Sequence, residues 1–233
     1  QPQFHFTYFM KDDAAPDKAL RMDLVAGCAI NLLAGIPYAY GAFAHDLKES
    51  LALSQLQMAN LGAVFDFGFY LALPLTGAIF DALGTSTTIA LASWALAVGN
   101  AIVALSVGGG GDGGDARAHQ GARVLALGFG FVVAGCGSAF ANMAALGTGT
   151  KRAPPHARAR AISTLSAAVG LSPLPVVLSY PLLSGGGRAL APFFGAWALI
   201  GSAMAAGAGA VLARDELSHV DSLVRRVRLL LCP

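Results

Sequence analysis

Long stretches without an ionic side chain divide this sequence. Six of them run approximately Leu24–Phe43, Met58–Phe80, Thr87–Val107, Val124–Leu146, Ala161–Leu183 and Ala189–Ala213. Each is close to or above the roughly 20 residues that a helix needs to cross about 30 Å of hydrocarbon. A helix on a soluble surface carries a charged stripe at a period of about 3.6 residues. These runs are apolar all round, and a single formally charged residue, Asp66, falls inside them. The pattern predicts an all-α, polytopic membrane protein built as a six-transmembrane-helix bundle. A soluble chain has too little polar surface left to bury six such helices.

Composition agrees. Apolar residues make up 55% and charged residues 12%, against roughly 45–50% and about 25% in soluble domains. The net charge of +2 is small and no basic tract is interleaved with aromatics, which speaks against nucleic acid as a partner. The odd cysteine count (Cys28, Cys136, Cys232) and its spacing match no zinc or redox pattern. The histidines, His5, His45, His119, His156 and His219, are scattered over loops and tails, so no metal or other cofactor is expected. Gln1–Arg21 lacks the order of a secretory signal.

The connections set the topology. Lys11, Lys18 and Arg21 precede span one, Lys151, Arg152, Arg158 and Arg160 lie between spans four and five, and Arg214, Arg225, Arg226 and Arg228 follow span six. Only Lys48, Arg117, Arg123 and Arg188 fall on the other side. Basic residues stay cytosolic, so both termini are expected there. The implied organisation is a cytosolic tail over 1–21, the bundle over 22–213 and a basic amphipathic linker over 214–233. An ordinary linker is the alternative for that last stretch. The run GGGGDGG at Gly108–Gly114 lacks the Lys-Ser/Thr of a phosphate loop and reads as a flexible linker. Pro173, Pro175 and Pro181 predict a bent fifth span, which either lines a cavity or serves packing alone.

Asp66 is the sharpest chemical candidate. It lies about eight residues into span two, roughly 12 Å from one membrane face. A carboxylate there costs on the order of 3 kcal/mol unless water, a partner or protonation relieves it. Either it faces the substrate or couples protons, or it makes a packing hydrogen bond to Asn31, Asn142 or a backbone carbonyl. No basic residue falls inside any span, so a carboxylate substrate would need its counter-charge from elsewhere. A neutral or cationic solute fits more easily.

The segment Gly35–Gly84 resembles the opening of nodulin-like major facilitator proteins, related to monocarboxylate and oxalate/formate carriers. The resemblance rests on Gly35, Tyr38, Tyr40, Gly41, Leu47, Lys48, Leu51, Ser54, Gln55, Gln57, Leu61, Gly62, Asp66 and Gly68. It continues through Gly77, Asp81 and Gly84, at the spacing of the superfamily's conformational turn between helices two and three. A second block matches at Asn142, Pro155, Arg158, Gly170, Leu171 and Ser172. Basic residues usually flank the Asp and the second Gly of that turn, whereas this chain has Ala82, Thr85 and Ser86. The resemblance implies the N-terminal half of a major facilitator fold. It makes Asn31, Tyr38 and Asn142 cavity liners, while Tyr40 also suits an interfacial aromatic belt. Pro155 and Arg158 belong to the matching cytosolic loop. The function it implies is secondary transport of a small-molecule substrate by alternating access, coupled to protons. The implied partners are the lipid bilayer and a second six-helix half, in the same chain or another. A non-transporting half-size scaffold or receptor is the main alternative. A membrane-embedded enzyme lacks its nucleophile and base, since the spans hold one carboxylate and no histidine.

Overall fold

The computed structural model describes residues 18–108, 116–186 and 189–231, with side chains of the last stretch described to Arg214. Lys11, His5, Arg188, Cys232 and most of the GGGGDGG run lie outside the described residues. Within them the secondary structure is helical: α1 (Lys18–Leu33), a 3-10 turn (Pro37–Ala39), α2 (Tyr40–Ser50), α3 (Gln55–Gly108), α4 (Ala116–Arg152), α5 (Arg158–Leu171), α6 (Pro173–Leu183) and α7 (Leu190–Leu231). The chain forms an all-α polytopic membrane bundle, as its apolar runs predict.

Four stretches are long and apolar enough to cross a bilayer: Gln55–Gly108, Gln120–Arg152, Arg158–Leu183 and Leu190–Arg214. The pair Leu20–Leu33 and Pro37–Ser50, bent by 45°, makes another. The longest stretch is two spans in series. Gly84 takes φ 81° and ψ −176°, outside the helical region, and that positive φ is open to glycine at little cost. The segments before and after it are each long enough to span. All six apolar runs are therefore helical, but three boundaries differ from the sequence reading. Span one is broken, because Pro37 offers no N–H to the helix before it. The Ala82–Ser86 turn contracts to the single break at Gly84. Helix α4 reaches Arg152, so the first part of the expected basic loop is helical. Helix α7 continues without interruption from span six into the basic C-terminal stretch.

Span five keeps helical backbone angles at Ser172, yet its hydrogen-bonded ladder divides there into α5 and α6. Pro173 and Pro175 each remove a donor just past that point. The interruption of span one meets this division directly: a Cβ on Gly35 would collide with the Ser172 carbonyl. Two interrupted spans thus cross backbone to backbone.

Packing centres on α4, which lies against both segments of α3. A Cβ on Gly68 would stand 2.5 Å from the Val132 carbonyl oxygen, and one on Gly135 would stand 2.6 Å from that of Phe65. Hydrocarbon gives helices no hydrophobic reason to associate, so close approach at small residues supplies the attraction. Toward the end opposite the basic residues the interior is aromatic, with Phe43, Phe65, Phe131, Phe193 and Phe194 fully buried. Phe65 stacks on Phe131 with centroids 4.6 Å apart. The other half is alanine-rich, with Ala26, Ala92, Ala141, Ala144 and Ala145 packed around Ile30, Ile89 and Leu212.

Gly135→Leu should lower the thermal midpoint of the purified protein by several degrees, the effect of about 1–3 kcal/mol of overpacking. Gly207→Leu should leave it nearly unchanged, because nothing lies within 4 Å of a Cβ there. Differential scanning fluorimetry in detergent reads both.

Candidate functional site

A tight cleft, too narrow as it stands for a water-sized sphere, lies at the crossing of the two interrupted spans, lined by Asn31, Ala34, Tyr38, Phe69, Asn142, Val169 and Ser172. Helix α1 contributes Asn31 near its last turn, the 3-10 turn presents Tyr38, and α5 ends on Ser172. Asn142 comes from α4 and Phe69 from the first segment of α3. The Tyr38 ring meets Phe69 edge-on with centroids 5.6 Å apart.

The cleft wall carries unused hydrogen-bonding capacity. Asn31 and Ser172 are each 1% exposed. Asn31 donates through Nδ2 to the Leu165 carbonyl at 3.1 Å, which fixes its amide orientation. Its Oδ1 has no partner, and neither have the Asn142 Oδ1 and the Ser172 Oγ. Two other buried hydroxyls, Ser93 and Ser138, are also unpartnered but stand away from the cleft. Three of the five unpartnered atoms therefore share one small opening.

Asp66 does not line this cleft. It sits on the exposed side of α3, three residues before Phe69 and four before Tyr70, and hence on adjoining surface. Tyr38 lies near both Tyr70 and Asp66. The expected alternative, a packing bond from Asp66 to Asn31, does not form; the Asn31 amide serves Leu165 instead. Tyr40 donates to the Met58 carbonyl at 2.8 Å and packs edge-on against Phe43 and Phe131. It is half-buried and braces α2 against the start of α3.

The basic end carries a separate charge cluster. Asp23, 2% exposed, accepts from Arg152 at 3.1 Å and pairs with Arg214 at 3.4 Å, tying α1, α4 and α7 together. Asp81 pairs with Lys151 at 2.9 Å, and the same ammonium lies 4.4 Å from the centre of the Phe80 ring. The hydroxyls of Thr85 and Thr148 are 2.9 Å apart between α3 and α4. At the opposite end the Tyr180 hydroxyl donates to Asp46, joining α6 to α2. Among the described residues no group of three or more His, Cys, Asp or Glu could hold a metal.

Residues 21–193 match the family described as Nodulin-like. The chain belongs to the nodulin-like family. That family is part of the major-facilitator-like transporter group, so a membrane transporter role follows at that coarse level. No individual curated protein matches the chain.

The match covers every site residue named from the sequence. The nodulin-like resemblance drew attention to Gly77, Asp81 and Gly84, and the structure gives two of them local tasks. Gly84 breaks the helix and Asp81 holds Lys151. Where basic residues usually follow the turn, this nodulin-like chain uses the Thr85–Thr148 contact, and its cation comes from α4. Pro155 lies in the short connection after α4 and Arg158 opens α5; both are exposed, at the opposite end of α5 from the cleft residue Ser172. Asp23, Asp46, Tyr180 and the free hydroxyl of Ser172 were missed as functional or structural polar groups. Asp23 stands one residue outside an apolar run, where an acid reads as interfacial.

Asp23→Ala leaves two arginines around an empty buried position. It should cost roughly 1–3 kcal/mol, below the value for a fully buried pair, because the Arg152 and Arg214 side chains keep 21% and 32% exposure. A fall in the melting midpoint larger than that of Asp81→Ala is the expected result. Asp81 and Lys151 are mostly exposed and their pair contributes little.

Proposed function

We propose that this chain is the N-terminal six-helix half of a secondary transporter that moves a small solute by alternating access, with the cleft as its solute site. The observation that carries this reading is the trio of buried, unpartnered oxygens where two interrupted spans cross. Broken helices beside a polar cavity are the usual construction of solute sites in transporters. A buried acceptor without a partner costs about 1–3 kcal/mol, and a solute admitted when the spans part would relieve that cost.

Asp66 is the coupling acid of this proposal. The stripe Asp66, Tyr70, Gly77 and Asp81 runs along one side of α3 at helical spacing. Asp66, Tyr70 and Asp81 are exposed, and nothing lies within 4 Å of a Cβ placed on Gly77. A carboxylate facing hydrocarbon is costly, so this stripe turns to water and to a second six-helix half. Gly77 leaves room for a helix of that half to approach closely. The basic end, with Lys18, Lys151, Arg158 and Arg214, is the cytosolic one by the positive-inside rule. That places both ends of the 22–213 bundle in the cytosol, with 1–21 as tail and 214–233 as the linker.

The test uses the full-length protein in liposomes, with a trapped pH dye and a panel of radiolabelled amines, polyols and monocarboxylates. Solute uptake accompanied by proton movement is expected. Asp66→Asn should abolish the pH dependence and slow uptake at least about tenfold, the loss typical of a positioned proton carrier. Unchanged rate and pH dependence in that variant would remove the coupling role, and no uptake of any solute by the unaltered protein would remove the transport reading.

A further inference from the structure

We infer that the cleft receives the hydrogen-bond donors of an uncharged or cationic head group, and that it rejects carboxylates. This assignment rests on the cleft being the solute site and adds the chemistry of the solute. The cleft wall holds no charged side chain. What it offers is one fixed acceptor, Asn31 Oδ1, beside two groups that can donate or accept, the Asn142 amide, which no hydrogen bond orients, and the Ser172 hydroxyl. The Asn31 amide nitrogen is committed to the Leu165 carbonyl at 3.1 Å, so the group left facing outward is Oδ1, an acceptor. Turning the amide over would set two carbonyl oxygens against each other. The Asn142 Oδ1 is also unpartnered, and the Ser172 Oγ adds an oxygen that either donates or accepts.

Among the described residues, Asp66 supplies the formal charge near this wall, through its proximity to Tyr38. Every lysine and arginine whose side chain is described lies toward one end of the bundle or the other, near residues 18–21, 48, 123, 151–160 and 214. An anionic head group would therefore meet the fixed Asn31 acceptor and the nearby Asp66, with no cation to offset its desolvation. An N–H or O–H donor finds two or three acceptors that nothing else satisfies. An ammonium gains further from Asp66, whereas a polyol uses the neutral acceptors alone.

Four probes separate these cases in a thermal-shift measurement on the purified full-length protein. Ethanolammonium is a cation with donors, glycerol is neutral with donors, tetramethylammonium is a cation without them, and lactate is an anion. Stabilisation by ethanolammonium or glycerol is expected, a rise of several degrees at concentrations well above Kd. Asn142→Ala should remove it. This substitution breaks no hydrogen bond present in the fold, so the variant reports on the cleft even if Asn31→Leu fails to fold. A shift with ethanolammonium alone assigns a cationic head group, and a shift with both donors assigns a neutral one. Equal stabilisation by tetramethylammonium would overturn the requirement for donors. Asn142-dependent stabilisation by lactate would overturn the ligand class while leaving the transport reading intact. No Asn142-dependent shift with either donor would also overturn the assignment; the transport reading fails separately, on the uptake assay.

Discussion

Hydrocarbon offers no hydrogen bonds, and almost everything in this fold answers to that constraint. Each backbone donor and acceptor within a span must be satisfied inside its own helix or by a neighbour. The long uninterrupted helices meet the requirement directly. The places where the ladder stops, around Leu33–Pro37, at Gly84 and at Ser172, are where the structure departs from simple rods. Two of these interruptions touch each other through Gly35 and Ser172, and the cleft with its unpartnered oxygens lies beside that contact. In a medium so unforgiving of unpaired polar groups, three of them in one opening are the strongest functional signal the molecule carries.

The same constraint explains how rigid and movable parts are divided. Helix α4 and both segments of α3 approach at glycine, where no side chain separates the backbones, and that interlock has little room to slide. The interrupted spans are different. Their outer halves, α2 and α6, are joined by the Tyr180–Asp46 hydrogen bond and by Phe43 against Tyr180. Their inner ends join through α1, with Asn31 holding the Leu165 carbonyl. On the proposed reading, a carrier that changes access at the cleft would have its weakest backbone at the level of the site itself.

Much of this was legible in the sequence, for physical reasons that differ by residue. Six runs that hold a single charged residue between them specify helices in lipid because few other structures satisfy their backbones there. The lapse in the hydrogen-bonded ladder of span five at Ser172 followed from its prolines, although the backbone there stays helical. Asn31, Tyr38 and Asn142 do share one cleft, although no spacing along the chain would bring α1 and α4 together; the family resemblance supplied that pairing. Asp66 was conspicuous as a lone charge, yet its sequence neighbours gave no sign that it borders the cleft without lining it. The break in span one was harder to see, since Gly35 and Pro37 are both tolerated in membrane helices. Ser172 looked like any small polar residue before a proline. The Asp23 cluster was hidden because its partners, Arg152 and Arg214, are distant in sequence and read as topology markers.

Whether water and solute reach the cleft is the question on which the account turns, and cysteine labelling from the aqueous phase addresses it most directly. The full-length protein would have Cys28, Cys136 and Cys232 replaced by alanine and would then carry Ser172→Cys. In sealed liposomes, a membrane-impermeant thiol reagent should modify this cysteine, and Leu182→Cys, on the exposed apolar side of α6, should resist. A Ser172→Cys protein that stays unlabelled from both sides of the membrane, in every condition that permits uptake, would contradict a solute site at the crossing of the two broken spans.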